Sequence, residues 1–139
     1  TRGNDMPEAK RVLIVDDEES MRLLLHRIVE SIPAAEVTLA ASCEEALQLA
    51  GSRGYDLILL DLLIPGIGGI EVLSRIRAGS QNAATPVIVV SVMSDQDTKI
   101  VCQSLGANDY IVKPIERDSV IAAVEAQLAG RGQPKAPRI

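Results

Sequence analysis

Short unbroken apolar runs alternate along this chain with longer stretches in which apolar residues recur every three or four positions. Runs of the first kind are Val12-Leu13-Ile14-Val15, Leu57-Ile58-Leu59-Leu60 and Val87-Ile88-Val89-Val90. Bounded by turn residues and rich in branched side chains, they predict strands buried on both faces. Shorter candidates at 36–40 and 110–113 bring the predicted strands to 11–15, 36–40, 56–60, 86–90 and 110–113. The intervening stretches predict amphipathic helices. Residues 19–31 place Met21, Leu24, Leu25 and Ile28 at helical spacing, with Pro33 beyond the end. Ser42 with Glu45 three residues on reads as a capping box, opening a helix that runs to about Ala50, before Gly51. Residues 69–78 put Ile70, Leu73 and Ile76 on one face. A helix over 95–105 is expected to stop at Gly106, and a last one covers 117–129.

Buried strands alternating with helices make a parallel sheet covered on both sides, an α/β architecture. Right-handed crossovers and five strands favour a doubly wound sheet, with ligands held beyond the strands' carboxyl ends. Asp16, Asp17, Asp61, Ser91 and Lys113 all fall at such ends. Three carboxylates gathered at one edge repel one another unless a cation neutralises them. Oxygen ligands of this kind suit a hard divalent ion such as Mg²⁺, which binds few carboxylates and keeps water and phosphate oxygens. The pattern therefore points to metal-assisted phosphoryl transfer.

Composition narrows the partners. The chain has 139 residues, enough for one domain with a real core, and 47% hydrophobic against 24% charged residues fits a globular protein. No apolar run is long enough to span a bilayer, and residues 1–10 lack the apolar centre of a signal peptide, so neither a membrane nor secretion is expected. A net charge of −5 argues against direct contact with nucleic acid. Cys43 and Cys102 have no metal-type spacing and read as reduced, packed thiols of a cytoplasmic protein. With no Phe or Trp and two Tyr, the core must be aliphatic. Residues 1–9 read as an N-terminal extension and 10–129 as the domain. Residues 130–139 read as a tail or the start of a linker to an output domain, and the chain as a piece of a multidomain protein.

Taken in order, Asp16-Asp17, Asp61 with Pro65 and Gly69, Ser91, and Lys113-Pro114 resemble the receiver domain of two-component response regulators, over residues 10–129. The resemblance implies a flavodoxin-like, doubly wound five-stranded parallel sheet in the order 2-1-3-4-5, as in chemotaxis regulators. It implies that Asp61 is the phosphoacceptor, a carboxylate nucleophile that forms an acyl phosphate. Asp16, Asp17 and Asp61 would hold Mg²⁺, with Mn²⁺ as a substitute, together with the backbone carbonyl of Leu63. Lys113 would meet a phosphoryl oxygen as a point charge, its placement set by a cis peptide to Pro114. Ser91 would donate to the phosphoryl group, and Tyr110 would be the switch aromatic. The donor would be the phosphohistidine of a sensor histidine kinase or a phosphotransfer protein. The output would be a surface of the fourth helix, fifth strand and fifth helix, offered to an output domain or downstream protein, with homodimerisation on phosphorylation as a further expectation. Such a domain catalyses its own phosphorylation and dephosphorylation, yet it is a signalling module and not a conventional enzyme.

Each site residue also has a bland reading. Asp61 could cap a turn, Asp16 and Asp17 could serve the first helix electrostatically, Ser91 could bond to backbone, Lys113 could be a surface cation and Tyr110 a core packer. The ordered set weighs against coincidence. A haloacid-dehalogenase-type phosphatase would need a second Asp two residues after Asp61, where Leu63 stands. The dinucleotide fingerprint suggested by Gly66-Ile67-Gly68-Gly69 fails because Glu71 occupies its last glycine position. A phosphorylation-independent pseudo-receiver, acting only as an interaction module, is the remaining alternative. Ile64, Val92 and Ile115 depart from the family's usual residues. The few basic residues of the last helix disfavour the winged-helix transcription-factor branch.

Overall fold

The computed structural model describes residues 8–79 and 81–130, so the expected extension and tail lie almost wholly outside the described residues. Ten elements alternate strictly: β1 (Lys10–Val15), α1 (Glu19–Glu30), β2 (Ala35–Ala40), α2 (Cys43–Ser52), β3 (Leu57–Leu60), α3 (Gly68–Arg77), β4 (Val87–Ser91), α4 (Gln96–Ser104), β5 (Asp109–Val112) and α5 (Arg117–Ala129). The five strands form one sheet in the order β2-β1-β3-β4-β5, every pair parallel. This is the α/β, doubly wound architecture expected from the sequence, in the strand order that the resemblance implied.

Period-two alternation divides the strand residues between two cores. Leu13, Val15, Ile58, Leu60, Val87 and Val89 face α2, α3 and the buried Cys102 of α4. Val12, Ile14, Leu57, Leu59, Ile88 and Val90 face α1 and α5. All twelve are at most 1% exposed, which explains why β1, β3 and β4 read as unbroken apolar runs. Burying each such side chain contributes about 1.5–3 kcal/mol before the cost of ordering the chain.

Three helix details differ from the sequence expectation. The core face of α1 is Leu25, Ile28 and Val29, with Leu24 41% exposed; that of α3 is Val72, Leu73 and Ile76, with Ile70 37% exposed. A helix covering a flat sheet buries a narrower stripe than spacing alone allows. The second helix does not stop before Gly51 but runs through it to Ser52, because Ala50 is packed in the core and holds the turn. Its cap is also modified. Ser42 Oγ accepts from the Glu45 N–H, but the Glu45 carboxylate accepts from Ala41 N–H at 2.7 Å, one residue before the cap. Gly106 behaves as expected: at φ +99° it closes α4, with the Ala107 N–H donating to Cys102 O and the Gly106 N–H to Gln103 O.

The amino edge of the sheet is sealed by polar bonds. Asn82 is fully buried; its amide donates to Ala50 O and Arg53 O, while its oxygen accepts from Tyr55 N–H and the Thr85 hydroxyl. The Arg77 guanidinium donates to Asn82 O, Ala83 O, Gly106 O and Asn108 Oδ1, tying the end of α3 to the loops before β4 and β5. Replacing Asn82 by Ala strands several buried partners at once. A loss of ~3 kcal/mol in unfolding free energy is expected by chemical denaturation.

Candidate phosphoacceptor and metal site

Register brings the site residues together. Val15 pairs with Leu60 and Ser91 with Val112, so Asp16 and Asp61 are each one residue past one paired end and Lys113 one past the other. Ladder bonds continue across these positions: the Asp61 N–H donates to Val15 O at 3.0 Å and the Lys113 N–H to Ser91 O at 2.8 Å. Alternation then assigns faces. Asp16 and Asp61 follow Ile14 and Leu59 onto the α1–α5 side, whereas Ser91 and Tyr110 follow Val89 onto the α3–α4 side.

The carboxylates of Asp16, Asp17 and Asp61 converge, with one oxygen of each within 4.8 Å of the others. Asp16 and Asp61 are buried; Asp17 is exposed. The Lys113 ammonium enters between the buried pair, donating to Asp16 Oδ2 at 2.9 Å and Asp61 Oδ2 at 3.1 Å. The peptide from Lys113 to Pro114 is cis. Burial raises the Asp16 carboxyl above its usual range, against the opposing pull of the Glu18 N–H and Lys113. Burial alone would lower the Lys113 ammonium, but its bonds to Asp16 and Asp61 outweigh that and its net shift is upward. Three carboxylates facing one ammonium leave a surplus of two negative charges when all are ionised, the charge of one divalent cation. The donor set is all oxygen, and Asp17 accepts no hydrogen bond among the described residues, so the cluster suits Mg²⁺.

The connecting loops are fixed by short local bonds. Asp16 Oδ1 accepts from Glu18 N–H and Asp61 Oδ1 from Leu63 N–H. Gly69 sits where α3 touches the Asp61 loop, its N–H donating to Leu62 O. A Cβ there would meet Leu62 Cα at 2.6 Å and the Asp61 carbonyl oxygen closer still, so no other residue fits without moving that loop.

Ser91 is fully buried and its hydroxyl accepts from Met93 N–H at 3.2 Å. The Met93 carbonyl in turn accepts from the Tyr110 hydroxyl at 2.6 Å. Met93 of this loop thus links Ser91 to Tyr110, the expected switch aromatic. Lys99 of α4 stands over the Tyr110 ring, 5.7 Å from its centre, a contact the sequence did not announce. Leu63 and Val92 are 53% and 56% exposed. Met93 is half-buried, Ile64 is buried as packing predicts, and Ile115 packs against the α1–α5 core.

A family model described as the response regulator receiver domain matches residues 12–125. The chain belongs to this family. It is 36% identical over 125 residues to the uncharacterized transcriptional regulatory protein YkoG of Bacillus subtilis, covering 90% of this chain and 54% of that protein. The chain spans about half the length of the curated relatives it matches. A response regulator structure from Chloroflexus aurantiacus superimposes with TM-score 0.81 at 33% identity, covering 88% of this chain and 99% of that one. The receiver domain of the Pseudomonas aeruginosa sensor histidine kinase PA1611 superimposes with TM-score 0.79 at 26% identity, covering 87% and 98%; that structure has a magnesium ion coordinated in its active-site cleft.

Proposed function

We propose that this receiver domain accepts a phosphoryl group on Asp61, in a Mg²⁺-dependent transfer from the phosphohistidine of a sensor histidine kinase or phosphotransfer protein. The observation that carries the reading is the convergence of the Asp16, Asp17 and Asp61 carboxylates, two of which, Asp16 and Asp61, share the Lys113 ammonium. The Asp61 carboxylate supplies the attacking oxygen. It forms the new bond to phosphorus as the bond to the donor imidazole breaks, and the imidazole nitrogen takes up the released electron pair. Lys113 exchanges its contact with Asp61 for a phosphoryl oxygen, and Ser91 donates its hydroxyl to another. Asp16, Asp17, Asp61 and the Leu63 carbonyl would hold the Mg²⁺ or Mn²⁺, whose charge offsets that of the phosphoryl oxygens. A phosphoryl group adds about −1.5 to −2 charge. Ser91 moving toward it releases Met93, and with Met93 the Tyr110 hydroxyl, so the α4–β5–α5 face changes shape. Output domain, downstream protein and phosphorylation-dependent homodimer are all readers that such a face admits, and a cytoplasmic location accords with a histidine-kinase donor.

Intact-mass measurement after incubation with Mg²⁺ and a small phosphodonor tests the reading. One added phosphoryl group is expected, and none when EDTA is present. An unchanged mass in both samples overturns it in favour of the phosphorylation-independent alternative.

The phosphorylated form is expected to decay slowly for a receiver. By family resemblance the side chains of Leu63 and Met93, two residues beyond Asp61 and Ser91, border the phosphoryl group, and neither carries a group able to orient an attacking water. Leu63→Asn and Met93→Glu should shorten the lifetime by about 10-fold, less than the 10²–10⁴-fold of a complete general base. Decay followed by mass in Mg²⁺ buffer checks this; rapid decay unchanged by both substitutions contradicts it.

A further inference from the structure

Arg22 lies where a cation is electrostatically unwelcome. It sits in the opening turns of α1, whose amino end carries partial positive charge and favours acids. Helical side chains lean toward the amino end, which carries the Arg22 guanidinium back over the loop between β1 and α1. There its Nη1 donates to the carbonyl oxygen of Asp16 at 2.8 Å. No ion pair joins Arg22 to a carboxylate among the described residues.

The choice of acceptor matters. The Asp16 carbonyl belongs to the peptide unit that leads into Asp17, so holding that oxygen fixes the peptide plane and with it the direction of the Asp17 side chain. Had the guanidinium paired with the Asp17 carboxylate, it would have competed with a metal for the same oxygens. Bonded to the main chain, it orders the loop and leaves Asp17 open. Nothing else among the described residues holds the Asp17 side chain, which is exposed and accepts no hydrogen bond. We propose that Arg22 is a positioning residue for the divalent-cation site, acting through the Asp16–Asp17 peptide and not as a ligand. This inference rests on the proposed metal-dependent function.

Sign separates positioning from simple charge. Removing a nearby cation should tighten Mg²⁺ binding by Coulomb attraction alone, whereas losing the peptide anchor should weaken it. Mg²⁺ titration calorimetry on the protein without phosphodonor reads the difference directly. Arg22→Met, which keeps the apolar stem and loses the donor, is expected to weaken Mg²⁺ binding by about 10-fold, the lower end of what loss of a supporting contact costs a metal site. Arg22→Lys keeps one donor and should recover part of the affinity. It also serves as the second variant if Arg22→Met fails to fold. An unchanged or tighter Mg²⁺ constant in Arg22→Met, or an Arg22→Lys no better than Met, overturns the positioning role while leaving the metal site standing. A parent protein that binds no Mg²⁺ overturns the functional reading itself.

Discussion

Asp61→Asn is expected to take up no phosphoryl group under conditions in which the parent chain takes up one, as read by intact mass. The substitution is nearly isosteric and leaves an amide oxygen to accept from Leu63 N–H, so the loop has no reason to move. What disappears is the proposed nucleophile, because a neutral amide does not attack phosphorus at a useful rate. Folding should survive. Loss of one partner of a buried ion pair ordinarily costs about 3–5 kcal/mol, but that figure assumes a charge left alone. Lys113 here keeps its 2.9 Å bond to Asp16, and one of three mutually repelling carboxylates is gone. A thermal midpoint close to the parent's is therefore expected in metal-free buffer. Phosphorylation equal to the parent's would remove Asp61 from the assignment; a collapsed fold would mean the cluster is structural first.

Most of the architecture was legible because the three central strands, β1, β3 and β4, are buried on both faces. An unbroken run such as Leu57-Ile58-Leu59-Leu60 has no polar face to confuse its period, and the register it adopts sets Asp16 beside Asp61 with no further information. The places where reading the sequence fell short are those where tertiary contact overrides local preference. Gly51 ordinarily ends a helix, yet Ala50 is held in the core and the helix runs on. Ile70 and Leu24 have the right spacing to be buried, but the sheet offers α1 and α3 too narrow a surface. Ala34 takes a left-handed φ of +68° before β2, where glycine would be the usual choice, and nothing in the sequence marks it. Within the site, the ligand types and Lys113 could be found from strand ends alone. The Lys99–Tyr110 contact and the reach of Arg22 to a carbonyl depend on side-chain direction, which spacing does not encode. Arg22 did carry one signal: a cation in the opening turns of a helix runs against the dipole.

Asp17→Ala should abolish Mg²⁺ binding and phosphorylation together, and it should do so at little cost to the fold. Asp16 and Asp61 are buried and already committed to Lys113, while Asp17 is exposed and accepts no hydrogen bond among the described residues. It is thus the proposed ligand that can approach a cation without first giving up a partner. Removing it leaves two carboxylates and one ammonium, a net charge of −1 when all are ionised, which halves the surplus that draws a divalent ion. Calorimetry should show no Mg²⁺ heat at concentrations that saturate the parent, and mass should show no phosphoryl uptake at the same Mg²⁺. The two losses are linked by charge. Without the cation, the phosphoryl oxygens arriving at Asp61 face carboxylates with only Lys113 to offset them, and desolvation makes that repulsion stronger than in water. Stability in metal-free buffer should be unchanged or slightly higher, since one source of repulsion has gone. An Asp17→Ala chain that binds Mg²⁺ with the parent's affinity would mean the cation is held by Asp16 and Asp61 alone, and Asp17 would revert to a helix-start acid.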